Sequence, residues 1–142
     1  MRIRFLIFGA VLAGCMAIAQ AAGPPPSLYE RMGGADVVAA VSNELIDETS
    51  AHPKLKRSFD GVNIPRVKTM LIEQICALSG GPCTYTGDTM VDVHAGLDIT
   101  EAEMHGMVEI LRQVMIRHGV GLRERNELLA LLAPMKRDVV TK

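Results

Sequence analysis

Aromatic residues are scarce in this chain: two Tyr, three Phe and no Trp among 142 residues. Its core must come from Leu, Val, Ile, Ala and Met, which suit helices, and Met can fill irregular gaps around bulky partners. Charge of one sign is lacking too. Fifteen Lys and Arg stand against sixteen Asp and Glu, a formal net charge of −1, so no basic face points to a nucleic-acid partner. No run reads as strand, because period-two alternation between turn residues is missing. Ser/His/Asp, zinc-ligand and phosphate-loop patterns are also missing, which leaves no hydrolase signature. Cysteine is limited to Cys15, Cys76 and Cys83. What is abundant is aliphatic: 49% of the residues are hydrophobic, enough at this length for one globular domain with a sizeable core.

The first segment reads as an export signal over residues 1–22. Met1-Arg2-Ile3-Arg4 is a basic start, and Phe5 to Gly14 is an apolar run of signal-peptide length. Two exits follow. Leu12-Ala13-Gly14-Cys15 resembles a bacterial lipobox, which makes Cys15 a lipidated first residue and a membrane tether. Ala19-Gln20-Ala21 fits ordinary small-residue cleavage instead. An uncleaved anchor is the third reading, since Phe5 to Ala22 is just long enough to cross a bilayer. The expected location is therefore exported and periplasmic, either free or membrane-anchored. Removing the leader takes away Arg2 and Arg4 and no acid, leaving thirteen cations against sixteen anions, or −3. Gly23-Pro24-Pro25-Pro26 forms a stiff linker over residues 23–26, because Pro fixes its own backbone. The domain proper is expected over residues 27–142. Export also puts Cys76 and Cys83 in an oxidising compartment. Ser79-Gly80-Gly81-Pro82 turns the chain between them, so they either pair or stay reduced as small buried hydrophobes.

The remaining periodicity is helical. Ser27 caps a short first helix that Gly33-Gly34 ends. Val37, Val38, Val41, Leu45 and Ile46 form one stripe on a helix over Ala35 to Ser50, and His52-Pro53 breaks it. Lys54 to Phe59 is a short helical turn. Pro65 suits the first turn of a helix carrying Val67, Met70, Leu71, Ile75 and Leu78, which Gly80-Gly81-Pro82 stops. Asp88 to His94 reads as a short helix closed by Gly96. Thr100-Glu101-Ala102-Glu103 is a capping box for a helix with Met104, Met107, Val108, Leu111 and Met115 on one face, ended by Gly119. Glu124 to Val140 is the last helix, kinked at Pro134. The class is all-α.

Of four histidines, His52 sits in a loop before Pro53, His105 faces away from the Met stripe, and His118 is at a helix C-terminus that favours a cation. Solvation or capping accounts for these three. His94 lies among Met90, Val91, Val93 and Leu97, with no acidic residue spaced to share a metal. A lone His in apolar surroundings is most often a hydrogen-bonded core residue. The functional alternative is the axial ligand of haem, a metal site that needs only one His, because the porphyrin supplies the other nitrogens.

A series of short motifs runs through the chain: Leu28-Tyr29-Glu30-Arg31 with Gly33-Gly34; Pro53, Leu55, Phe59 and Gly61; Gly80-Gly81-Pro82; Tyr85-Thr86-Gly87; Met90; Val93-His94-Ala95-Gly96-Leu97; Ile99-Thr100; and Leu132-Ala133-Pro134. In this order, from Ser27 to Val140, the chain resembles the truncated globins, most closely their first group. The resemblance implies a two-over-two helical sandwich holding one non-covalent haem b. It places His94 on the proximal iron ligand and Phe59 on the Phe that packs against the porphyrin. Val67, Leu71, Ile75, Met90, Leu97, Ile99 and Met107 complete an apolar slot around them. Lys68 and Arg66 are candidates for the haem propionates; solvated charge on a helix face accounts equally well for either. Cys76 and Cys83 lack the CxxCH spacing of covalent haem attachment.

Departures from the family pattern bear on function. The second-helix Tyr that often binds oxygen in the family corresponds to Leu45, and distal polar residues, commonly Gln, correspond to Val67 and Leu71. An apolar distal side has no hydrogen bond for bound oxygen, whereas CO or NO loses less by its absence. Gln74, about one helical turn beyond Leu71, is the nearest polar side chain. Met70 occupies a position where some relatives carry a second, internal iron ligand, so its thioether is either a distal ligand or core packing. The leading expectation is a haem globin that binds a diatomic gas, O2, CO or NO. The second is an exported electron-transfer haemoprotein with His94/Met70 ligation and a redox partner. The third is a globin-like helical lipoprotein that has lost haem.

Overall fold

The computed structural model describes residues 23–142. The leader, with Cys15 and both processing alternatives, lies outside the described residues. Among the described residues there is no strand, and no helix is long and apolar enough to cross a membrane.

Local signals in the sequence set most helix ends. Ser27 accepts from the Glu30 amide while the Glu30 carboxylate accepts from the Ser27 amide at 2.8 Å, a full capping box for α1 (Leu28–Met32). Gly33, at φ 114°, ends α1 in a left-handed conformation that a side chain resists, and α2 (Gly34–Ala51) starts at once. A 3₁₀ turn over Lys56–Phe59 follows the His52-Pro53 break. Asn63 caps α3 (Ile64–Leu78), with Pro65 in its first turn where no amide is needed. Thr89 caps the single turn α4 (Met90–Val93). The expected capping box opens α5 (Glu101–Arg117): Thr100 accepts from the Glu103 amide, and Glu103 from the Thr100 amide.

Two expected elements differ. The helix expected over Asp88 to His94 is only α4, and His94 stands at its C-cap. The last helix is divided rather than kinked. α6 (Leu122–Leu132) passes into a 3₁₀ turn over Ala133–Met135 and then α7 (Lys136–Val139). Pro134 lacks an amide and crowds the preceding turn, so tighter 3₁₀ geometry carries the chain past it.

α2 lies at the centre, packed on α3, α5, α1 and the Lys56–Phe59 turn, while α1 also meets α6. Its stripe of Val38, Val41 and Leu45 joins Ile75 and Cys76 of α3, Leu111, Val114 and Met115 of α5, and Leu128 of α6 in one core. The result is the two-over-two helical sandwich, with α2, α3, α5 and α6 sharing that core. α4 takes its main contacts from α7.

A disulfide joins Cys76, buried in the core, to Cys83 in the α3–α4 connection, so the paired alternative is the one observed. Gly81 between them admits no side chain: a Cβ there would lie 2.7 Å from Cys76 Sγ and 2.8 Å from the Tyr29 ring.

Candidate haem site

His94 owes its orientation to the carbonyl of Met90, one turn earlier. The ring Nδ1 is 2.8 Å from that oxygen. A carbonyl only accepts, so Nδ1 carries the proton and Nε2 keeps its lone pair. This is the second contact by which metal-binding imidazoles are commonly fixed. His94 is half-buried.

The expected slot residues fall on the elements on either side of α4. Phe59 ends the 3₁₀ turn; Val67, Lys68, Met70, Leu71 and Ile75 lie on α3; Met90 opens α4; Leu97 and Ile99 follow His94; Met107 lies on α5. Ile75 and Ile99 are buried. Phe59, Val67, Met70, Leu71, Met90, Leu97 and Met107 are only half-buried. A chain with a well-closed core elsewhere thus keeps large apolar side chains part-open on α3, α4 and the segment after His94. That pattern suits a flat apolar group with an iron to ligate, and the donor chemistry of His94 fits a haem.

The residues that the resemblance puts on the distal side are Leu45, Val67 and Leu71, with Gln74 the nearest polar side chain. Leu45 is 2% exposed and sealed in the core. Gln74 is 9% exposed, and its amide nitrogen donates to Met90 Sδ at 3.2 Å and Met135 Sδ at 3.6 Å, which are weak acceptors. A hollow of about 320 Å³ opens beside it, bounded by Ala77, Leu78, Tyr85, Asp88, Thr89 and Met90 among others. Lys68 makes an ion pair with Asp47, Nζ 2.7 Å from Oδ1, so α2 supplies its partner. Arg66 is exposed.

Sequence reasoning missed the clamp on the segment after His94. Arg57 donates from Nη1 to the Leu97 carbonyl (2.8 Å) and from Nη2 to the Asp98 carbonyl (2.9 Å). It also binds both oxygens of Glu103 at 2.6 Å. The guanidinium, followed by the Thr100 donors, holds the Glu103 carboxyl well below its usual range, at about 2. Arg57 and Glu103 are 46 residues apart, and no local motif signals their meeting.

Comparison with known proteins decides the family. Residues 27–141 match the family described as bacterial-like globin. A group 1 truncated hemoglobin of Mycolicibacterium paratuberculosis is 31% identical over 117 residues, 82% of this chain and 86% of the relative. The chain belongs to the truncated globins, in their group 1 branch. Membership in the truncated globins brings a haem cofactor and gas-ligand binding as a class. A group 1 truncated hemoglobin of Tetrahymena pyriformis is 22% identical over 83% of this chain and 98% of its own length. The crystal structure of truncated hemoglobin from Tetrahymena pyriformis in its Fe(III) form superposes with a TM-score of 0.78 at 21% identity, covering 82% of this chain and all of that one. The group II truncated hemoglobin from Bacillus anthracis gives 0.75 at 21% identity, over 84% and 95%. These structures establish the truncated-globin fold.

Proposed function

We propose that this truncated globin is exported and holds one non-covalent haem b through His94 Nε2, with an apolar distal side that suits CO or NO better than O2, whose bound form is polar and gains from a hydrogen bond. When bound, the haem iron supplies the position that takes the gas. The observation that carries the reading is the Nδ1–H bond to Met90, which leaves one imidazole lone pair beside part-open apolar side chains.

The chain's own residues then have distinct tasks. Phe59, Val67, Leu71, Met90, Leu97 and Ile99 exclude water from the cofactor faces, with Ile75 beneath them as a buried floor. Leu45, Val67 and Leu71 offer no donor to a bound gas, and the Gln74 amide is turned toward two thioethers. Non-covalent binding agrees with the Cys76–Cys83 bond, which leaves no free thiol among the described residues. The disulfide also agrees with export, and a lipidated Cys15 would tether the domain to a membrane through the Pro24–Pro26 linker. In this reading Met70, half-buried on α3, is a packing residue and not a second iron ligand.

Gas kinetics on the purified ferrous protein test the gas preference. Tight CO binding with fast oxygen release is expected. Slow oxygen release would show a distal hydrogen bond and overturn the apolar reading.

A further inference from the structure

We propose that Arg57 is a positioning residue for the haem site: it holds the backbone directly after His94 and so fixes how the imidazole and the side chains of Leu97 and Ile99 are presented. The proposal rests on the His94 reading above. Arg57 lies two residues before Phe59 in the 3₁₀ turn, so one short segment of the α2–α3 connection reaches both the apolar slot and the proximal loop.

The loop needs external support. Leu97 N returns to the His94 carbonyl at 3.2 Å, Gly96 and Asp98 both have left-handed backbones, and Asp98, at φ 50°, is not glycine. Three successive carbonyls are taken by donors from elsewhere. Arg57 binds those of Leu97 and Asp98; the Thr141 and Lys142 amides bind that of Ile99 at 3.0 and 3.2 Å. Lys142 Nζ also lies 2.8 Å from Asp98 Oδ2. Arg57 turns its remaining donors to Glu103, whose Oε2 accepts from the Thr100 amide and hydroxyl at 2.9 and 2.8 Å. One planar guanidinium thereby locks the loop to the start of α5.

An exposed ion pair by itself contributes little, and Arg57 is 48% exposed. What distinguishes it is geometry. A planar fork can serve a carboxylate and two carbonyls together; a lysine ammonium can keep the charge but not that fork. Arg57→Lys therefore separates pairing with Glu103 from the hold on the loop.

The test uses haem-loaded full-length protein. Haemin loss to excess apomyoglobin is timed for wild type, Arg57→Lys, Arg57→Gln and a control, Arg117→Gln, which breaks the exposed pairs with Glu44 and Glu48. Amide exchange over residues 95–99 and apoprotein melting are followed in parallel. Arg57→Lys is expected to lose haemin about tenfold faster, the scale of a lost second-contact partner. It should show faster exchange at 95–99, with little change in melting. Arg57→Gln should lose haemin at least as fast, and Arg117→Gln should match wild type. An unchanged haemin rate in Arg57→Lys, or an equal rise in Arg117→Gln, overturns the proposal. His94→Ala tests the ligand assignment separately: unaltered optical bands in that variant would overturn the His94 reading, whereas altered bands there with an unchanged haemin rate in Arg57→Lys would overturn the role of Arg57 alone.

Discussion

A single residue decides much here because the surroundings leave it few alternatives. Leu45, on α2, is sealed in the core that this helix shares with α3, α5 and α6, so Leu45→Ala leaves a cavity in dense packing. The expected cost is about 2–5 kcal/mol, measured by urea unfolding of the apoprotein; a cost near zero would mean the site collapses freely. Met70 is half-buried on α3, and Met70→Ala should leave the ferric optical bands in place. A shifted band would make its thioether a ligand. Leu45, Val67 and Leu71 were read from motif order as apolar replacements for polar family residues; the fold buries Leu45 and leaves the other two half-buried. The tautomer of His94 was not, because it depends on the folded carbonyl of Met90. Nor was the turn of Gln74 toward Met90 and Met135, since Met135 is 61 residues away.

Elements follow sequence where their signals are local. Ser27, Thr100 and Pro65 marked three helix starts because each acts on amides within its own first turn. The Pro134 break was located but read too mildly, and α4 was read too long. A single turn has too few residues for periodicity to set its ends. The Arg57–Glu103 contact joins two elements far apart in sequence and stayed invisible. Its pH dependence has a definite sign. Folding lowers the Glu103 pKa from 4.5 to about 2 through Arg57 and Thr100, so its contribution is complete above 4.5 and fades as pH falls toward 2. The stability gap between wild type and Glu103→Gln should be constant at neutral pH and close over that acid range; a gap that persists at pH 2 would assign the effect to packing. The Cys76–Cys83 bond closes a short loop, and a loop of that size stabilises by about 2–3 kcal/mol. Cys76→Ser/Cys83→Ser should melt correspondingly lower than the oxidised wild type and match the wild type under reductant. Equal melting of all three would mean the bond contributes nothing.

For the whole molecule, scarce aromatics and a helical pattern limited the fold class, and the ordered motifs from Ser27 to Val140 named the sandwich. Export belongs to this scale as well. The mature protein is predicted to carry lipid on Cys15, read as an acylated intact mass in the membrane fraction; a mass beginning at Ala22 would replace the tether with plain secretion. In the proposed site one imidazole joins this fold to its cofactor. The most direct measurement is the low-frequency resonance Raman spectrum of the ferrous protein, recorded for wild type and for His94→Ala with and without added imidazole. The iron–imidazole stretch should appear in the wild type, vanish in the variant and return with free imidazole. A stretch that survives in His94→Ala alone would contradict the account.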